Sequence, residues 1–138
     1  MLKEKSKMKI QRSIALSLTL TLIALAALAC GKAGNSTPTE AFKTYYNAVK
    51  NADVAAFKSI MPKKDLEKME KDMKEKGTNP DDNLKVLLKV MGTKMSATMP
   101  EIRNETIEGE RASIEFKYEE KWEKMGFIKE DDGWKMKG

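Results

Sequence analysis

The sequence predicts an α+β domain, with N-terminal helices packed on a C-terminal antiparallel four-stranded meander. Three observations lead there. Between Phe42 and Met95 the apolar residues recur at helical spacing, with caps and prolines at the helix starts. After Pro100 the period drops to two, most cleanly in Arg111–Tyr118. Ahead of both, Ile14–Cys30 is an uncharged apolar run that reads as an export leader.

The leader comes first in the chain. Lys3, Lys5, Lys7, Lys9 and Arg12 stand against Glu4 alone, the apolar run follows, and small residues end it at Cys30. That is the three-part layout of an export signal. Met8, ahead of Lys9 and Arg12, is a second candidate start beside Met1. Residues 1–29 are read as signal peptide, 30–36 as a flexible tether (GKAGNS after the cysteine) and 37–138 as the domain.

Each helix has its own start signal. Thr37-Pro38-Thr39-Glu40 is a capping box with proline at the first helical position, and Phe42, Tyr45 or Tyr46, and Val49 form the apolar stripe. Asp53 caps a second helix carrying Val54, Phe57, Ile60 and Met61, which Pro62 ends. Lys63–Lys76 is a charged helix with Leu66, Met69 and Met73 on one face and Glu67–Lys71 and Glu70–Lys74 as i,i+4 pairs. Thr78-Asn79-Pro80-Asp81-Asp82 starts a fourth, with Leu84, Leu87, Leu88 and Met91 on its buried face, joined by Met95 unless Gly92 breaks the helix first.

In Arg111–Tyr118, residues Ala112, Ile114, Phe116 and Tyr118 share one face and Ser113, Glu115 and Lys117 the other. Glu108-Gly109-Glu110 turns back to a strand over roughly 101–107, whose weak alternation leaves its register open. Met125, Phe127 and Ile128 mark a third strand, Asp131-Asp132-Gly133 a hairpin turn, and Trp134 with Met136 a fourth.

Composition narrows the function. The 138 residues carry formal charge +5, but residues 1–29 hold five of the 26 basic residues and only one of the 21 acids. The domain is therefore almost neutral, which argues against nucleic acid as a partner. Histidine is absent, and with it the commonest general base and metal ligand. Cys30 is the single cysteine, so no internal disulfide is expected.

Two resemblances follow. With Ala26, Ala27, Leu28 and Ala29 ahead of Cys30, the leader resembles a bacterial lipoprotein signal in its permissive form. This implies cleavage between Ala29 and Cys30, with covalent lipid on the Cys30 thiol. Membrane attachment then comes through acyl chains, the only cofactor-like group expected. Two or more chains tether firmly. Gly31, where Asp would stand otherwise, implies the outer membrane in a two-membrane cell. A plain secretory signal or an uncut anchor are the competing readings; the run is short against the roughly 20 residues of a bilayer span.

The domain in turn resembles lipoproteins of nuclear transport factor 2-like, or cystatin-like, fold. Its carriers are Thr37–Phe42 with Tyr45-Tyr46, Asn51-Ala52-Asp53 before Phe57, Ile107–Ala112, and Phe127–Met136. The resemblance implies a cone-like pocket, with a homodimer through the sheet as one option. In that fold some relatives run isomerase or dehydratase chemistry and many only bind.

Tyr45, Tyr46 and Asp53 are the candidate pocket residues: a phenol and a carboxylate can pass a proton in such a cone. Against that, Asp53 is a natural helix cap. Met91, Met95 and Met99, and likewise Met69 and Met73, are spaced by four and invite Cu(I) through thioethers, though methionine is foremost a core filler. Asp81-Asp82 reads as first-turn acids facing a helix dipole, not as a paired-carboxylate site. Trp134 is expected in the core and Trp122, among charges, at the surface. No phosphate loop, catalytic triad or zinc spacing is present. The expectation is a non-enzymatic envelope lipoprotein that binds a small apolar ligand, a peptide or an envelope protein. A pocket enzyme using Tyr45 or Tyr46 with Asp53, and Cu(I) handling, are the alternatives.

Overall fold

The computed structural model describes Gly34–Gly138. The leader, the Ala29/Cys30 cut and the lipidation of Cys30 lie outside the described residues. The domain is α+β: helices α1 (Pro38–Asn51), α2 (Val54–Ser59), α3 (Lys63–Glu75) and α4 (Pro80–Lys94) precede strands β1 (Ile102–Glu108), β2 (Arg111–Tyr118), β3 (Lys121–Glu130) and β4 (Gly133–Met136). The strands form one antiparallel sheet in the order β1-β2-β3-β4, as a meander should.

Helix α1 lies between the sheet and α4, which is why its apolar arc is broad. Phe42 and Ala41 pack with Ile114, Phe127 and Trp134 from the sheet. Two turns on, Val49 packs with Leu84 and Leu88 of α4. Tyr45 touches both clusters and joins them. Gly92 does not break α4, which runs on to Lys94. A Cβ there would stand 2.9 Å from the Val49 carbonyl oxygen, so this glycine lets two backbones approach at the α1–α4 crossing. Leu87, expected inside, is 49% exposed. It sits at the rim of the Leu84–Leu88–Met91 stripe, beyond what α1 covers.

The helix starts differ in detail from the sequence reading. Thr37 Oγ1 accepts from Glu40 N at 3.1 Å, but the Glu40 carboxylate reaches back to Ser36 N (3.0 Å) instead of the cap itself. Two helix starts, those of α1 and α3, are also served from the sheet. Glu105 Oε2 accepts from Thr39 N at 2.8 Å, and Glu130 Oε1 from Lys63 N at 3.2 Å. The latter matters because Pro62, at the N-cap of α3, offers no side-chain acceptor. The expected Glu67–Lys71 and Glu70–Lys74 pairs are not among the described ion pairs. Glu70 bonds Lys58 of α2 at 2.7 Å, and Asp81 of α4 takes the same ammonium, so one lysine ties three helices.

The poor alternation of β1 has a cause. Asn104 and Glu105 together oppose Ile114, a β-bulge with Asn104 at φ 52°. The extra residue keeps Asn104 on the outer face, bonded to Glu115, while Glu105 turns towards α1. The β2–β3 turn, Glu119-Glu120, carries no glycine although both residues have positive φ (45° and 64°), as a tight primed hairpin requires.

The edge of β4 is covered. Trp134 N donates to Asn35 O at 3.0 Å and Met136 N to Ile60 O at 2.8 Å. Asn35 Oδ1 also accepts from Thr44 Oγ1 at 2.7 Å. Asn35 and Ser36, expected in the tether, are therefore held on the domain. Gly34 and Gly133 are small because their backbones meet there: a Cβ on Gly133 would lie 2.8 Å from Asn35 O.

Candidate functional site

A cavity of about 310 Å³ opens where α1, the segment after α4 and the sheet meet. Helix α1 contributes Phe42 and Tyr45, β2 contributes Phe116 and Tyr118, β3 contributes Glu123, Lys124 and Met125, and Met95, Ser96 and Pro100 close the third side. Strand register explains the sheet wall. Phe116 faces Glu123 across the β2–β3 ladder, and alternate residues along each strand share that face. Helix α4 stops at Lys94, and Met95 takes extended backbone, turning the chain across the mouth.

The wall is aromatic. The Phe42 and Phe116 rings lie 5.0 Å apart between centroids, and Tyr45 lies 6.2 Å from Phe42. Apolar burial pushes the Tyr45 hydroxyl above its ordinary pKa, so it stays a neutral phenol at physiological pH. No partner for that hydroxyl occurs among the described residues. Tyr118, 41% exposed, and Glu123 form the rim.

The three candidate pocket residues separate. Tyr45 lines the cavity. Tyr46 is buried on another side of α1 and donates its hydroxyl to Ser96 O at 2.8 Å, tying α1 to the segment after α4. Asp53 is exposed and caps α2, accepting from Ala56 N at 3.0 Å. It does not line the cavity, so the Tyr–Asp proton pair is not assembled. A residue chosen for capping by its place before Val54 cannot also point across α1 into the sheet.

No protein-family model matches the chain, and no curated protein or solved structure is similar enough to count as a match.

Four of the five candidate methionines pack. Met69, Met91 and Met95 lean on the Val49–Leu84–Leu88 cluster and Met99 on the Phe42 cluster. Met91 and Met99 share no helix, because α4 ends between them. Among the described residues, no group of three Asp, Glu, His or Cys side chains is placed to hold a metal ion. No helix among them is long and apolar enough to cross a membrane. Asp81 serves Lys58, and both Asp81 N and Asp82 N donate to Asn79 Oδ1, so the acidic pair is a helix start. Trp134 is core. Trp122 is half-buried on the outer sheet face, covered by the Arg103 guanidinium 3.7 Å above its ring.

Sequence reasoning missed Glu123 as a rim residue. Its signal was present: counting back by two from Phe127 and Met125 puts Glu123 on the inner face. A second cavity of similar size lies under α2, between Phe57, Ile60, Met61, Pro62 and Met136.

Proposed function

We propose that this chain is a lipid-anchored protein of the bacterial cell envelope whose domain binds a small, largely apolar ligand in the cavity beside Tyr45. The carrying observation is the cavity itself. At about 310 Å³ it falls within the range that small-molecule sites occupy, roughly 300–1,000 Å³, and its wall is mostly aromatic rings and thioethers. The anchor rests on the leader and on Cys30. The nuclear transport factor 2-like identity is part of the same reading, supported by the order of helices before an antiparallel meander and by a pocket between helix and sheet.

Binding without catalysis is the reading the geometry favours. A proton-transfer site needs its acid and base within hydrogen-bond reach of one substrate, and Asp53 caps α2 away from Tyr45.

Two measurements test the proposal. Metabolic lipid labelling of the full chain should mark the parent and not Cys30→Ser; equal label on both rejects the anchor. A neutral fluorescent amphiphile, N-phenyl-naphthylamine, should bind the full chain and lose binding in Met95→Trp, where the indole fills the mouth. Unchanged binding in that variant rejects the cavity as the site.

A further inference from the structure

We propose that the cavity beside Tyr45 selects a cationic amphiphile, with an apolar body against the rings and an ammonium head held at Glu123. This rests on the small-ligand reading of the same cavity and adds the charge of the ligand.

The wall and the rim point the same way. Phe42, Tyr45, Phe116 and Tyr118 supply four aromatic rings to one cavity. Aromatic faces carry a negative quadrupole and attract ammonium groups, most strongly where several rings gather out of water. Glu123 stands directly opposite Phe116 on the same face of the sheet and adds a full negative charge at the mouth. Its carboxylate is in no ion pair among the described residues.

The cations nearby do not cancel it. Lys124 also borders the cavity, but it follows Glu123 in the strand, so alternation sends its side chain to the opposite face. There it stands across from Glu115, whose carboxyl is held below its ordinary range first by hydrogen bonds from Asn104 and Arg103 and last by the Lys124 charge, and it borders the polar hollow by Thr106 and Ser113. Lys121 is two residues along on the inner face, beside Tyr118, and makes no ion pair with Glu123. An anionic ligand would meet ring faces and a carboxylate of its own sign, which is discrimination by repulsion as well as by attraction.

Calorimetric titration of the full chain tests this with three probes of one shape: phenylpropyl-trimethylammonium, its uncharged carbon isostere, and phenylpropanesulfonate. The cation is expected to bind about tenfold more tightly than the isostere, and the sulfonate most weakly. Glu123→Gln should cut the cation's advantage to about twofold, the share left to the rings. Glu115→Gln, on the other face, should leave the advantage intact. Equal affinity for cation and isostere overturns the charge assignment while leaving the small-ligand reading standing. An advantage that survives Glu123→Gln, or a sulfonate that binds best, overturns it too. If none of the three binds, both readings fall.

Discussion

Lys135 is the sharpest stability test in the domain. It is 3% exposed, yet it carries a charge. Its Nζ donates to Ser59 O at 2.5 Å and to Asp132 Oδ2 at 2.8 Å, so it pins β4 to the last residue of α2. A cation at a helix C-terminus is also favoured by the helix dipole. Lys135→Met keeps most of the stem and removes the ammonium. The Ser59 carbonyl then loses a charge-assisted bond, a cost of about 1.5–3 kcal/mol. Asp132 is half exposed and is rehydrated, so it adds little. Lys135→Ala also removes three buried methylenes, at about 0.8 kcal/mol each, roughly 2 kcal/mol more. Urea unfolding of the full chain, followed through buried Trp134, reads both. The expected order is parent, then methionine, then alanine. Alanine and methionine variants of equal stability would refute the packing half of the reasoning; a methionine variant as stable as the parent would refute the hydrogen-bond half.

Further outcomes follow from the same contacts. The Lys135 bond holds the Asp132 carboxyl below its ordinary pKa, so the stabilisation is complete above that ordinary value and is lost as pH falls through the lowered one; Asp132→Asn should flatten this acid limb of a stability–pH profile. Glu119→Asn with Glu120→Gly suits a turn in which both residues have positive φ, and should raise stability by about 1–2 kcal/mol in urea unfolding, because the Lys117–Glu120 pair it gives up is solvent-exposed. Glu105→Ala removes the carboxylate that caps α1 from the bulge and should cost about 1 kcal/mol, read as a lowered urea midpoint. Gly92→Ala gains about 1 kcal/mol of helix propensity but drives a Cβ against the Val49 carbonyl, an overpacking cost of about 1–3 kcal/mol, so the thermal midpoint should fall.

The four helices and four strands were legible because their signals are local. Thr37, Asp53 and Asn79 each cap the helix they precede, and Ala112, Ile114 and Phe116 alternate over one face. What sequence missed depends on partners distant in the chain. Glu105 and Glu130 look like ordinary strand charges, yet each serves a helix start more than sixty residues earlier. Lys135 looks like a solvated lysine until α2 is placed over it. The start of β3 hid because Glu119-Glu120 turns without glycine, in a stretch dense with charge. Leu87 was misassigned because a stripe's width depends on how much of the helix its neighbours cover. The candidate site divided along the same line. Tyr45, Tyr46 and Asp53 were all candidates through the family resemblance; Tyr45 lines the cavity, whereas Tyr46 is turned to Ser96 and Asp53 is held by its own helix cap.

The methionine methyl groups give the most direct test of ligand binding in the cavity. Met95 and Met125 line it, whereas Met69 and Met73 do not. With the full chain labelled at its methionine methyls, titration with a small neutral aromatic should move the Met95 and Met125 resonances together, saturably, and leave Met69 and Met73 still. Shifts confined to Met61 and Met136, which border the cavity under α2, or no saturable shift at all, would contradict the account.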